Sequence, residues 1–170
     1  NFASVGNGSS SHLTMEYIKS VSNTFAVHIP FNGSPPAVMS TLSGETQLIA
    51  SVPTVISPQV RQGKLKYLAV TSAQRYALLP DVPTVAELGY PGFEAALWLG
   101  VLAPAGTPKP IIDRLNKELV AIAATPDFKV AMDKNGADAT SNSPEQFASL
   151  IQNEVSKYGA ITKKLGIKLD

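Results

Sequence analysis

The 170-residue chain contains no cysteine. That excludes disulfides, thiolate-held metals and cysteine nucleophiles, and it suits an oxidising compartment. Histidine occurs only twice, as His12 and His28. The pair is not at i, i+4 spacing, so a zinc site is not expected; neither a metal nor a cofactor is expected at all. Net charge is scarce: 14 Lys and Arg stand against 13 Asp and Glu, a balance of +1. Nucleic acid and anionic membranes therefore lack an electrostatic footprint to grip. No apolar run approaches the roughly 20 residues that cross a bilayer. No leader-like segment opens the chain, so a cytosolic, processed or fragmentary chain is expected. The single tryptophan, Trp98, is expected in core or hinge packing. What is present, 44% hydrophobic residues, fits a globular core.

The pattern along the chain alternates strands and helices. "NFASV" (1–5) reads as a strand, followed by a helix with Leu13, Tyr17, Ile18 and Val21 on one face. Ser9, Ser10 or Ser11 is positioned to cap it. Residues 24–31, alternating Phe25, Val27 and Ile29, read as a second strand. Residues 32–44 read as a loop and helix, opened by Pro35 and Pro36 and stopped by Gly44. Further strands are expected at 46–52, 64–72 and 95–106, with a short helical turn at 54–63 broken by Pro58. "TVAELG" (84–89) reads as one or two helical turns. The clearest helix is 107–126, whose stripe Ile111, Leu115, Leu119 and Ile122 is expected to be buried. Residues 127–137 and 143–166 complete the helices, the last opened by a Ser143–Gln146 capping box with Pro144 at its first position. The alternation implies an α/β fold with a largely parallel sheet.

In such sheets ligands sit beyond the C-terminal ends of strands, on helix N-termini. Two such ends are glycine-bearing here, residues 6–11 and 32–34. "GNGSSS" lacks the lysine of a P-loop and the third glycine of a dinucleotide fingerprint. It leaves two interpretations of equal weight: an N-cap, or a neutral cradle of N–H groups suited to a carboxylate. No GxSxG elbow, paired carboxylates or triad accompanies the histidines, so no catalytic residue is expected.

Several segments together resemble one family. "SVGNGSSSHL", "HIPFNGSPPAV", "GKLKYLAVTSAQRYALLPDVPTVAELGYPGFE", "LWLGVLAPAGTP" and "KKLGIKLD" look like the Bug-type substrate-binding proteins of tripartite tricarboxylate transporters, in the right order. The block 75–92 is the most specific of them. The resemblance implies a periplasmic binding protein-like fold (type II) with two lobes around a cleft, and a periplasmic receptor that captures a small organic carboxylate for membrane transporter components without catalysis. Members are about twice as long, so a C-terminal fragment is implied, lacking a signal peptide. Residues 1–95 would form the second lobe; residues 96–170 would return to complete the first. The binding loop would comprise Gly6, Asn7, Gly8, Ser9, Ser10 and His12, faced by a turn of Phe31, Asn32 and Gly33. Phe31 and Asn32 stand where the family has tyrosine and lysine, and Gln47 where an acidic residue is common. With half of the first lobe absent, the stripe on 107–126 would stay exposed, and weak ligand binding and dimerisation are expected. The competing class is an α/β enzyme or cofactor-binding domain that holds a phosphate on the glycine–serine loop.

Overall fold

The computed structural model describes residues 1–166. Three short strands form one sheet: β1 (Phe2–Ser4), β2 (His28–Pro30) and β3 (Leu48–Ile49), in the order β2-β1-β3 and all parallel. The crossovers are α1 (Ser10–Ser22) and α2 (Ser34–Ser43). Then come α3 (Pro53–Arg61), α4 (Lys109–Ala123), α5 (Pro126–Lys134) and α6 (Pro144–Leu165). The central strand is entirely buried, with Phe2, Ala3 and Ser4 at 0% exposure. This is the α/β architecture with a parallel sheet that the alternating pattern implies.

The chain divides into two compact units, Asn1–Trp98 joined by the end of α6 from Ala160, and Leu99–Gly159. In the first, a cluster of Val85, Phe93 and Ala95 packs with Tyr17, Ile18, Ala69 and Tyr90. The Tyr17 and Phe93 rings stack at 4.6 Å. The most recognisable block of the sequence, around residues 75–92, is a polar clasp. Arg75 Nε donates to both carboxylate oxygens of Glu87 at 3.0 and 2.9 Å, and its guanidinium also donates to the Pro80 carbonyl at 2.9 Å. Glu87 accepts from the Thr84 N–H at 2.8 Å, while the Glu87 N–H donates to Thr84 Oγ1 at 3.0 Å.

Local structure corrects the expected strands. Of 24–31 only His28–Pro30 pairs, and Phe25 is 86% exposed. Of 46–52 only Leu48–Ile49 pairs. Residues 64–72 form no strand, only a single parallel bridge between Val70 and Thr84. Residues 95–106 form no strand either, and Leu99 is 91% exposed. A strand needs a partner's N–H and C=O groups, whereas a helix closes its own hydrogen bonds. Two expectations about helices also change. "TVAELG" forms turns and no helix. Helix α3 runs through Pro58 instead of breaking there, with the nearby Ser57 hydroxyl donating to the Pro53 carbonyl at 2.7 Å. In α4 no residue is buried; Ile111, Leu115, Leu119 and Ile122 are 41–50% exposed. The closing "IKLD" (167–170) lies outside the described residues.

Candidate functional site

The two glycine-bearing loops meet at one edge of the sheet. The register pairs Ser4 with Pro30, so residues 5–9 and 31–33 leave adjacent parallel strands in the same direction. The Phe31 N–H donates to the Ser4 carbonyl at 3.0 Å, extending the ladder by one step. A β-carbon built on Gly6 would lie 3.8 Å from the Phe31 carbonyl oxygen, so a side chain there would reach the neighbouring loop. Gly6 (φ 134°) and Gly33 (φ 100°) both occupy backbone regions that L side chains rarely enter.

The glycine–serine loop is largely satisfied by its own groups. Ser9 is the cap of α1: its hydroxyl accepts from the His12 N–H at 3.3 Å and donates to the Gly6 carbonyl at 2.6 Å. The Ser11 hydroxyl accepts the Val5 N–H at 3.0 Å, and the Gly8 N–H donates to His12 Nδ1 at 3.1 Å. Ser4 Oγ accepts the Gly6 N–H at 3.2 Å and contacts the Gly6 carbonyl at 3.0 Å. Among the described residues, the backbone N–H groups of Asn7, Ser10 and Ser11 have no protein acceptor. Asn7 and Ser10 are exposed. No acidic side chain occupies the first turn of α1. Capping and an open donor set therefore coexist. Ser9 does the first, and the N–H groups at the helix mouth carry the partial positive charge that attracts an anion.

The second loop contributes differently. The Gly33 N–H folds back onto the Phe31 carbonyl at 3.0 Å. Helix α2 has Gly33 as its cap residue and no side-chain cap. Pro35 and Pro36 remove two of the amide donors its first turn would otherwise offer. Asn32 is exposed and Phe31 half-buried. The helix-mouth donors are thus concentrated on α1, with Asn32 supplying a neutral side-chain amide beside them.

His12 is the candidate whose placement departs most from its surface-loop neighbours. It is 5% exposed, lies under the loop, and stacks on His28 with ring centroids 3.7 Å apart and planes 10° from parallel. Burial pushes its imidazole below the ordinary value, reinforced by Lys19 and opposed by Glu16. His28 Nε2 lies 2.5 Å from Ser4 Oγ, a spacing a serine nucleophile and its base would have. Ser4, however, is completely buried in the central strand and its oxygen is engaged by Gly6, so no substrate carbonyl can approach it. Sequence reasoning passed over Ser4 and over the Thr84–Glu87 clasp. Ser4 carries no local signal, since only the fold brings His28 to it. The clasp did carry one, the T-x-x-E spacing of a reciprocal cap.

Among the described residues no group of three or more His, Asp or Glu is arranged to hold a metal ion, and no helix is long and apolar enough to cross a membrane. Comparison with known proteins gives a consistent result. Residues 1–167 match the family described as tripartite tricarboxylate transporter family receptor. An uncharacterised-family protein from the tcbD-tcbE intergenic region of Pseudomonas sp. (strain P51) is 36% identical over 159 residues, 93% of this chain and 47% of that protein. Protein BugT of Bordetella pertussis is 34% identical over 163 residues, 95% and 50% of the two chains. Among solved structures, R. palustris Rpa4515 with adipate is 30% identical with a TM-score of 0.79, covering 98% of this chain and 56% of that one. MatC from Rhodopseudomonas palustris with bound malate is 30% identical with a TM-score of 0.71, covering 95% and 56%. The chain spans about half the length of these relatives. The match across residues 1–167, on a parallel sheet with two glycine loops at one edge, establishes that the chain belongs to the tripartite tricarboxylate transporter receptor family.

Proposed function

We propose that this chain is the carboxylate-gripping part of a periplasmic solute receptor, and that its ligand is a small dicarboxylate. The observation that carries the reading is the pair of neighbouring loops at one sheet edge, with the Asn7, Ser10 and Ser11 N–H groups lacking protein acceptors among the described residues. One carboxylate would sit at the mouth of α1, held by the loop Gly6, Asn7, Gly8, Ser9 and Ser10, with His12 beneath it. Phe31, Asn32 and Gly33 would form the neighbouring wall. Bound adipate and malate in two structural relatives support a dicarboxylate. Phe31 and Asn32 bring neither a phenol hydroxyl nor a charge, so the grip depends on neutral donors and bridging water.

Residues 1–95 would be the second lobe and residues 96–170 the returning part of the first. Closure of the lobes around ligand would signal loading to membrane components of a tripartite transporter, with no chemical step. A cleft buries most of a small ligand only when both walls are present, so this chain alone is expected to bind weakly. The half-exposed stripe of α4 favours its dimerisation.

A thermal-shift screen of dicarboxylates, tricarboxylates, amino acids and nucleotides tests the reading. A dicarboxylate at 100 times its Kd stabilises by about 2.7 kcal/mol, and Asn32→Ala reduces that shift without changing the unliganded melting temperature. Stabilisation by nucleotides instead would favour a phosphate on the glycine–serine loop, and an unchanged shift in Asn32→Ala would remove Asn32 from the site.

A further inference from the structure

Beneath the glycine–serine loop the only two histidines of the chain lie face to face, and Phe2 stacks on His28 from the central strand at 5.0 Å. The hydrogen positions follow from counting donors. Gly8 N–H donates to His12 Nδ1, so that nitrogen carries no proton and the ring is the neutral Nε2–H tautomer. Ser4 Oγ has one proton and two lone pairs. It contacts the Gly6 carbonyl, the Gly6 N–H and His28 Nε2. All three are satisfied when Ser4 donates to the carbonyl and accepts from both nitrogens, which makes His28 the Nε2–H form as well. A proton added to His12 would go to Nδ1, opposing the Gly8 N–H donor to donor. A proton added to His28 would go to Nδ1 and leave the Ser4 contact intact.

We propose that His12 is a positioning residue of the anion loop: neutral, it holds Gly8 and thereby the spacing of the Asn7, Ser10 and Ser11 donors, and protonated, it releases them, so that anion capture fails in acid. The inference rests on the reading that this loop grips a carboxylate. The surroundings oppose a charge on either ring. The charged groups facing the pair are Glu16 and Lys19 on α1. Glu16 lies 3.9 Å from His12 Nε2 but is already held by Lys19 Nζ at 2.6 Å. From β1 the pair meets Phe2 and Ser4, neither of which titrates in this range, and α2, packed on β1, contains no titratable residue. Burial, then the neighbouring His12 and Lys19, hold His28 down to about 4 against the pull of Glu16. Two charged rings stacked in contact would repel strongly.

The test is a pH titration of this chain by NMR without ligand, paired with adipate titrations. In the unaltered protein the His12 ring and the amides of Gly8, Asn7 and Ser10 should shift with one common midpoint below that of an ordinary histidine. His12→Gln should abolish the loop step. His28→Gln keeps the Gly8–His12 bond, so the step should persist, and this variant decides the matter if His12→Gln does not fold. Loop amides that stay flat while His12 titrates, or a step that survives in a folded His12→Gln, would overturn the proposal. Adipate affinity should fall as the pH is lowered from 7.5 through the midpoint of the loop step, and His12→Gln should remove the part of that loss that tracks the step. No adipate binding at pH 7.5 together with an intact loop step would strike the receptor reading alone.

Discussion

In the unit that begins with β1, Phe2, Ala3, Met15, Ala37, Val38, Ile56, Val85, Phe93 and Ala95 are all buried. In Leu99–Gly159 no described residue is fully buried, and Leu99, Val101 and Leu102 are 71–91% exposed. Both units carry amphipathic helices, yet only one has a sheet to cover them. The difference separates local from non-local instruction. The 3.6-residue stripe on α4 is enough to define a helix, because its hydrogen bonds close within the segment. Residues 95–106 have the composition of a strand but no ladder partner among the described residues, and they form none.

Phe2→Ala removes a ring that is completely buried in the central strand and stacked on His28; it should cost about 3–5 kcal/mol in urea unfolding. A buried hydroxyl in the same unit should matter less. Thr46 Oγ1 bonds Ser40 Oγ at 2.9 Å and Thr41 Oγ1 at 3.0 Å, so Thr46→Val should cost about 1–3 kcal/mol by leaving the Ser40 hydroxyl without that partner. Thr84→Ala, which removes one half of the reciprocal cap with Glu87, should cost about 1 kcal/mol. Leu115→Ala, on the half-exposed stripe of α4, should cost less than about 1 kcal/mol by the same measurement. A loss at Leu115 as large as that at Phe2 would mean the stripe is covered in solution, and a dimer would be the first explanation to check by light scattering.

Acid should weaken the first unit through its histidines. The folded value of His28 lies below the unfolded one, so the unfolded chain binds the proton more readily. The contribution is fully present above about pH 6.5 and is lost progressively as pH falls toward about 4. The urea midpoint of His28→Gln should therefore depend less on pH across that window than that of the unaltered chain.

Much of the fold was legible because its signals are local. Pro144 with Ser143 and Gln146 marked the start of α6, and the structure closes that box: the Ser143 N–H donates to Gln146 Oε1 at 2.8 Å and the Gln146 N–H to Ser143 Oγ at 3.2 Å. Gly44 marked the end of α2, where it adopts φ 82°. The strand lengths were not legible, because pairing depends on residues distant in the chain: Phe25 and Val27 alternate correctly, but the ladder reaches back only to the Val27 carbonyl, which accepts the Phe2 N–H at 2.9 Å, and both side chains remain exposed. At the candidate site, spacing located both loops and the serines that could cap α1, but could not say that Ser9 would be the one. The histidine stack was illegible, since His12 and His28 lie on different elements and only the parallel register of β1 and β2 brings them together.

The most direct test of the dicarboxylate grip is to map adipate onto the assigned amide resonances of this chain at neutral pH, up to millimolar concentrations that detect weak binding. Saturable shifts should concentrate at Asn7, Ser10, Ser11, Asn32 and Gly33, with little change in the Arg75–Glu87 clasp or along α4. Saturable shifts centred on the clasp or on α4, or none at the two loops, would contradict it.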